Sequence, residues 1–243
     1  MDYKYKEYDI KTKKELPQTK IVTLSDLNWN EHITKGEIDD IIVRINDIIP
    51  NYIFLLGNIT TYDNLKNILF KEKLKYFFDL LSCISRPYLV FGEKDYKIQD
   101  SYTSIDKLID YYNQLNVSVV NGIIEEPDIN ILSMNLEPDI HYTTEQKKKT
   151  IQELINRIDS IIDNKKFTIL MTHSDLSVLK HEKELLKYFD LILTKTNSNV
   201  EQPSFFDRFK PKENKVINNF LIENGGVHQT EEMDFIKIRR YKK

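Results

Sequence analysis

Five groups of polar residues follow short apolar runs in this chain, and their side chains can bind ions or transfer protons. The groups are Asp26 with Asn28, then Asn58, then Glu93 with Lys94 and Asp95, then His173, and finally Lys195 with Asn197. Carboxylate and amide oxygens suit a hard cation such as Mg²⁺ or Ca²⁺. The imidazole is of the type that acts as a general base. The sequence predicts an ion-binding or proton-transferring site if these groups meet.

The apolar runs before these groups predict a sheet that is buried on both faces. They are apolar on successive residues rather than on alternate ones, which is typical of parallel strands covered by helices. The runs are Lys20–Leu24, Tyr52–Leu56, Pro87–Phe91, Phe167–Met171 and Leu191–Leu193. Ligands of open α/β sheets bind beyond the carboxyl ends of the strands. We therefore expect the five polar groups at one sheet edge.

The segments between the runs predict helices and further strands. Apolar residues at helical spacing mark Glu37–Ile49 and Asn64–Cys83, so the first three strands form right-handed βαβ units. In the second helix the apolar face is predicted to consist of Leu65, Ile68, Leu69, Phe77, Leu80 and Leu81, with Cys83 buried on the same face. The remaining predicted helices are Ser101–Leu115, Thr143–Asp163 and Leu176–Tyr188. The remaining predicted strands are Val117–Val120, Asp128–Met134, where the sheet is expected to turn antiparallel, Lys215–Ile222 and Asp234–Arg239, the last two joined by a turn at Asn224–Gly226.

Composition favours one cytoplasmic α/β domain spanning 1–243, with 1–16 as an N-terminal arm or edge strand. The chain has 243 residues and a mass of 28.9 kDa, within the range of a single domain. Its net charge of −3 does not favour nucleic acid as a partner. No apolar run approaches the roughly 20 residues that cross a bilayer, and the charged start has no signal-peptide core. The single Cys83 excludes an internal disulfide.

The five groups resemble the motifs of the calcineurin-like metallophosphoesterases, especially their small bacterial branch. The family pattern is D-x-H, then G-D, then G-N-H-D or G-N-H-E, then a lone H, then G-H-x-H. The corresponding segments here are Asp26-Leu27-Asn28, Gly57-Asn58, Gly92-Glu93-Lys94-Asp95, His173 and Thr194-Lys195-Thr196-Asn197. The resemblance covers nearly the whole chain. It implies an α/β fold in which mixed sheets are sandwiched between helices in α-β-β-α layers.

The resemblance also implies where catalysis would have been lost. In the family two divalent cations are held by seven protein ligands, and a hydroxide between them attacks phosphorus. Of those ligands only Asp26 and His173 are retained, and Lys94 replaces the histidine that acts on the leaving group. At the other five ligand positions this chain has Asn28, Asn58, Glu93, Lys195 and Asn197. To bind a metal, Lys195 would first have to lose a proton, which costs roughly 4 to 5 kcal/mol at neutral pH.

Three functions are compatible with these replacements. The first is a degenerate, catalytically inactive pseudoenzyme without metal or other cofactor, which binds or scaffolds an unknown protein partner. In that hypothesis Lys94 and Lys195 pair with Asp26, Glu93 and Asp95 in place of the lost cations. The second is a weak single-metal phosphoesterase that uses Asp26 and His173 with Mg²⁺, Mn²⁺ or Ca²⁺, acting on phosphodiesters or phosphomonoesters. The third is a metal-free binder of a phosphorylated small molecule through Lys94 and Lys195.

Overall fold

A computed structural model describes most of the N-terminal half of the chain and the strands of the C-terminal half. The described residues are 5–98, 101–133, 149, 153, 156–158, 165–173, 188–195, 215–219 and 232–240. The predicted segments 143–163 and 176–188 and the turn at 224–226 lie wholly or largely outside them. No helix among the described residues has the length and apolarity that a membrane crossing needs.

The elements alternate between strands and helices through the first half of the chain. The helices whose bounds fall in the described part are α1 (Lys35–Ile48), α2 (Ile68–Ile84) and α3 (Ile105–Asn113), with single 3₁₀ turns at Asn64–Lys66 and Glu93–Tyr96. The strands are β1 (Tyr5–Thr12), β2 (Thr19–Ser25), β3 (Tyr52–Leu56), β4 (Pro87–Val90), β5 (Lys97–Ile98), β6 (Ser101–Tyr102), β7 (Ser118–Val119), β8 (Ile123–Glu125), β9 (Ile129–Ser133), β10 (Phe167–Thr172), β11 (Leu191–Lys195), β12 (Lys215–Asn219) and β13 (Glu232–Arg240).

The larger strands form two mixed sheets. The first has the order β1-β13-β2-β3-β4-β7, and the second has the order β12-β11-β10-β9-β8. In the first sheet only the β13 and β2 pair is antiparallel. In the second sheet only the β8 and β9 pair is antiparallel. The change predicted at Asp128–Met134 is therefore also a move to another sheet. The predicted turn between β12 and β13 does not make a hairpin, because the two strands belong to different sheets.

Strands with consecutive apolar residues are buried because each face of the first sheet packs on its own cluster. Val22 on β2 and Ile53 on β3 face helices α1 to α3. Ile21 and Phe54 face the second sheet instead, where they meet Ile169 and its neighbours. The predicted fold class, α/β with mixed sheets and helices in layers, is confirmed.

The apolar face predicted for α2 is partly wrong. The helix begins at Ile68 rather than Asn64, and it buries Phe70, Leu74, Phe77, Phe78 and Leu81. Ile68 and Leu69 are instead 73% and 69% exposed. Cys83, predicted to be buried, is also exposed. It follows the buried Leu81 by two residues, a rotation of about 200° around the helix axis, so it lies on the opposite side.

Helix α1 begins with a reciprocal pair of hydrogen bonds that should contribute measurably to stability. The Glu37 N–H donates to Thr34 Oγ1 at 3.2 Å, and the Thr34 N–H donates to the Glu37 carboxylate at 2.8 Å. Thr34→Ala is expected to lower the free energy of unfolding by about 1 kcal/mol, measured by urea denaturation. Thr34→Ser keeps the acceptor oxygen and should stay close to the parent protein. An equal loss in both variants would contradict a role for the hydroxyl.

Candidate functional site

The ends of β2, β3 and β4 in the first sheet meet the end of β10 in the second sheet, so the edge that holds the site is shared by two sheets and is not the single sheet edge expected from the sequence. Asp26 donates its N–H to the Gly57 carbonyl, and Asn28 donates its N–H to the Asn58 carbonyl, both at 2.9 Å. Asp26, Asn28 and Asn58 have φ angles of 54°, 48° and 54°. Asp and Asn adopt this left-handed region more readily than other residues with a side chain. The same residue types thus supply both the turn geometry and the polar groups of the site.

The carboxamide of Asn58 lies at the centre of the site. Its Nδ2 is 2.7 Å from Asp26 Oδ1 and 3.0 Å from His173 Nε2. An amide nitrogen has two N–H groups, so one can donate to each partner. Asp26 is 1% exposed and Asn58 is 6% exposed. The two residues that match retained metal ligands are therefore joined by the side chain of a third residue.

The orientation of the Asn58 amide is fixed by its other end. The Lys94 backbone N–H donates to Asn58 Oδ1 at 2.9 Å. A flipped amide would place its own N–H groups against this donor and its oxygen against the carboxylate of Asp26. Amide orientation is assigned from the surrounding hydrogen bonds. Here the donor facing the amide oxygen and the acceptors facing the amide nitrogen give the same orientation.

The ring of His173 is held in one tautomer by the end of β3. Its Nδ1 is 2.6 Å from the Leu56 carbonyl oxygen, which can only accept a proton. Nδ1 therefore donates, and Nε2 is left with a lone pair that accepts the N–H of Asn58. In this tautomer His173 could bind a metal through Nε2, but the Nε2 lone pair already accepts the Asn58 N–H.

Asp95 has a structural role at the same edge. One carboxylate oxygen accepts the N–H groups of Asn58 at 2.7 Å and Gly92 at 2.8 Å. The other accepts the N–H of Ile59 at 2.9 Å and a longer contact from Thr60 at 3.4 Å. The carboxylate thereby ties the loop after β3 to the loop after β4.

Asp95 should make stability depend on pH. Burial raises the pKa of Asp95 from 3.8 to about 7, although the surrounding N–H donors lower it. Between these values the folded chain holds a proton that the unfolded chain has lost, so the stabilising contribution is complete below pH 3.8 and lost as the pH rises through 7. We expect the free energy of unfolding to fall by up to about 1.4 kcal/mol per pH unit in this window, measured by urea denaturation.

Comparison with Asp95→Asn isolates the contribution of this carboxyl group to the pH dependence. The variant cannot titrate at residue 95, so the downward slope should disappear from its profile, whatever its absolute stability. A parent protein whose stability rises more steeply than that of the variant between pH 4 and 7 would mean that the N–H donors outweigh burial.

Two glycines allow the site to pack, and the motif spacing alone did not reveal their role. A Cβ on Gly92 would lie 2.3 Å from Asn58 Oδ1 and 2.8 Å from the Asn58 backbone nitrogen. A Cβ on Gly57, which has a φ of 80°, would lie 2.4 Å from the Gly92 nitrogen and 2.9 Å from His173 Nδ1. The one available signal was that each glycine directly precedes a polar group of the pattern.

The other predicted site residues lie at the margin or outside the described part. Asn28 donates its side-chain N–H to the Asp26 carbonyl at 2.7 Å. Glu93 and Lys94 are exposed. The backbone of Lys195 ends β11, but its side chain and the whole of Asn197 are outside the described residues.

The predicted pairing of Lys94 with Asp26 and Asp95 is wrong. Asp95 is 2% exposed and bonds to backbone N–H groups, while Asp26 bonds to Asn58. Lys94 is exposed, and no described ion pair joins it to either carboxylate. The contact with Asp26 that was expected of Lys94 is made by the amide of Asn58, which the sequence showed only as a lost metal ligand.

The donor set does not fit a two-metal centre. A cation between Asp26 and His173 would need the Nε2 lone pair of His173, which now accepts an N–H group of Asn58. Turning the amide to offer its oxygen would leave the Lys94 N–H facing another donor. Among the described residues, no group of three or more His, Cys, Asp and Glu side chains is placed to hold a metal ion.

Comparisons with known proteins give structural neighbours only. No family model matches the chain, and no curated protein matches it. Among solved structures it is similar to a dimetal phosphatase from Danio rerio, with 11% identity, coverage of 74% of this chain and 82% of that one, and a TM-score of 0.48. It is also similar to the phosphopantetheinyl hydrolase PptH from Mycobacterium tuberculosis, with 12% identity, coverage of 81% and 94%, and a TM-score of 0.40.

Proposed function

We propose that this chain is a metal-free, catalytically inactive protein of metallophosphoesterase type that acts by binding a partner. One observation carries the proposal: the Asn58 amide bonds simultaneously to Asp26 and His173. These N–H groups place positive partial charge where the family has a cation. The edge is therefore held together without the charge that activates water in two-metal hydrolysis.

A binding role agrees with the way the edge is built. Asp95 and the Asn58 amide fix the loops after β3 and β4 from inside, so the loops need no ion to keep their shape. Glu93 and Lys94 project outward from one of these loops. Such a rigid edge with exposed charges is suited to recognising a protein surface. Residue 94 supports a second candidate, a phosphorylated small molecule, because its exposed ammonium can pair with phosphate.

The test measures metal retention and turnover on the same preparation. The protein is incubated with Mn²⁺, Mg²⁺, Zn²⁺ or Ca²⁺, desalted, and analysed for bound metal beside phosphodiester and phosphomonoester assays. We expect far less than one metal per chain and no turnover above the background. Near-stoichiometric metal that disappears in Asp26→Ala, together with hydrolysis, would replace the proposal with a single-metal phosphoesterase.

The two binding candidates are separated by Lys94→Ala. Titration with a phosphomonoester should give a saturable signal that this variant loses if the ligand is a phosphorylated small molecule. If the phosphomonoester does not bind, a protein partner is favoured, and cross-linking from residue 94 in cell extract would identify it. Lys73→Ala is a suitable control, because Lys73 lies on α2 and donates to the Glu31 carbonyl.

A further inference from the structure

The opposite end of the first sheet borders a cavity. A cavity of about 320 Å³ opens where strands begin, between the two sheets, and is lined by Tyr52, Tyr88, Arg86, Glu126 and Asp128 among others. Tyr52 is the first residue of β3, whereas Asn58 follows the end of that strand. Five residues of strand separate the two ends by about 17 Å. The cavity is therefore independent of the edge that contains Asn58.

Tyr52 presents an unused hydroxyl to this cavity. The residue is 9% exposed, its ring packs against Phe54 and Tyr88, and its hydroxyl makes no hydrogen bond with another described residue. The hydroxyl is not one of the fully buried polar atoms that lack a partner, so it is open to a molecule in the cavity. Burial and the nearby carboxylates of Asp128 and Glu126 raise the pKa of Tyr52 to about 12. The phenol thus stays protonated at neutral pH, with oxygen lone pairs available to a donor.

The acidic side of the cavity is also only partly satisfied. Glu126 accepts the Tyr88 hydroxyl at 2.5 Å, while Lys166 donates to the Glu126 backbone carbonyl at 2.8 Å rather than to its carboxylate. Asp128 is partly buried and forms no hydrogen bond with another described residue. Arg86 is exposed at the rim. The lining therefore carries two carboxylates against one cation, the guanidinium of Arg86, among the described side chains.

We propose that this cavity binds a small organic amine through its protonated ammonium group. A primary ammonium has three N–H donors, which match the acceptor oxygens of Tyr52, Asp128 and Glu126. The two carboxylates disfavour an anion. A bare divalent cation would need six or more oxygen ligands, which is more than these side chains offer. The volume is within the range of small-molecule pockets and leaves room for a short aliphatic or aromatic tail.

Calorimetric titration with n-butylammonium chloride, n-butanol and CaCl₂ tests the proposal on the full chain. The ammonium probe should bind with a roughly millimolar dissociation constant, given its few heavy atoms, and butanol should not bind. Loss of a hydrogen bond to a charged group should weaken binding about tenfold or more in Asp128→Asn and in Tyr52→Phe. Glu72→Gln, which removes an exposed carboxylate of α2 outside the cavity lining, should bind like the parent protein.

Three results would overturn the proposal. They are equal binding of butanol and butylammonium, calcium binding that Asp128→Asn abolishes while the amine is ignored, and an amine signal unchanged in both cavity variants. Tyr52→Phe removes a hydroxyl without a described partner, so the variant should fold normally, and its thermal unfolding curve separates loss of binding from loss of structure.

Discussion

Asn58→Asp is expected to make the stability of this protein depend on a divalent cation. The substitution removes both N–H donors and places a carboxylate beside the buried Asp26. An uncompensated buried charge costs about 3–5 kcal/mol, and in a chain of this size each kcal/mol lowers Tm by about 2–4 °C. In EDTA, Tm should therefore fall by roughly 6–20 °C. Mn²⁺ should restore much of the loss, since it supplies the positive charge that the amide supplied.

Asn67→Asp provides the matched control for this experiment. Asn67 caps α2 through its side-chain oxygen, which accepts the Phe70 N–H at 3.2 Å, and Asp keeps that acceptor while adding the same charge at an exposed position. Its Tm should be the same in EDTA and in Mn²⁺. If the Tm of Asn58→Asp were also the same in EDTA and in Mn²⁺, the Asn58 amide would not be the substitute for a cation. If the parent protein gained as much from Mn²⁺, its site would bind metal unaided.

Gly57→Ala is expected to disrupt the same site by a steric route. The residue has a φ of 80°, and an added Cβ would lie 2.4 Å from the Gly92 nitrogen and 2.9 Å from His173 Nδ1. The left-handed backbone costs about 1–2 kcal/mol with a side chain, and overpacking adds about 1–3 kcal/mol. The free energy of unfolding should fall by about 2–5 kcal/mol in urea denaturation.

A glycine-to-alanine substitution at Gly36 should not lower the free energy of unfolding. Gly36 lies in the first turn of α1, and a Cβ there would meet nothing within 4 Å. Gly36→Ala should be neutral or gain up to about 1 kcal/mol, because alanine is the better helix former. Similar losses at both positions would show that the crowding around Gly57 is relieved by small shifts and does not define the site.

Much of the fold was predictable because the strands carry their own signal. Consecutive apolar residues in Tyr52–Leu56 require burial on both faces, and a polar residue at the end of such a strand must lie at a sheet edge. These two local rules placed Asp26 and Asn58 at one edge of the first sheet, but His173 reaches them from the end of a strand in the second sheet, which the rules did not distinguish. The move of β9 to a second sheet was not predictable, because its apolar residues satisfy either sheet equally.

The chemistry of the site was harder to predict because it depends on hydrogen bonds between distant residues. In the sequence, Asn58 stands where the family has an aspartate. Charge alone suggested that a lysine would take the place of the lost cations. The orientation of the amide, however, is set by the backbone N–H of Lys94, which no residue type encodes. In α2 a small error in the start of the helix likewise shifted the predicted apolar face toward Ile68 and Leu69.

The bonds of Asp95 have a consequence for how this edge opens to solvent. Its carboxylate accepts N–H groups from Asn58 and Ile59 in one loop and from Gly92 in the other. Releasing one loop strips donors from a buried carboxylate that the other loop still needs, so the two should open together as one cooperative unit. Their amide protons should then exchange with solvent at a common free energy of opening.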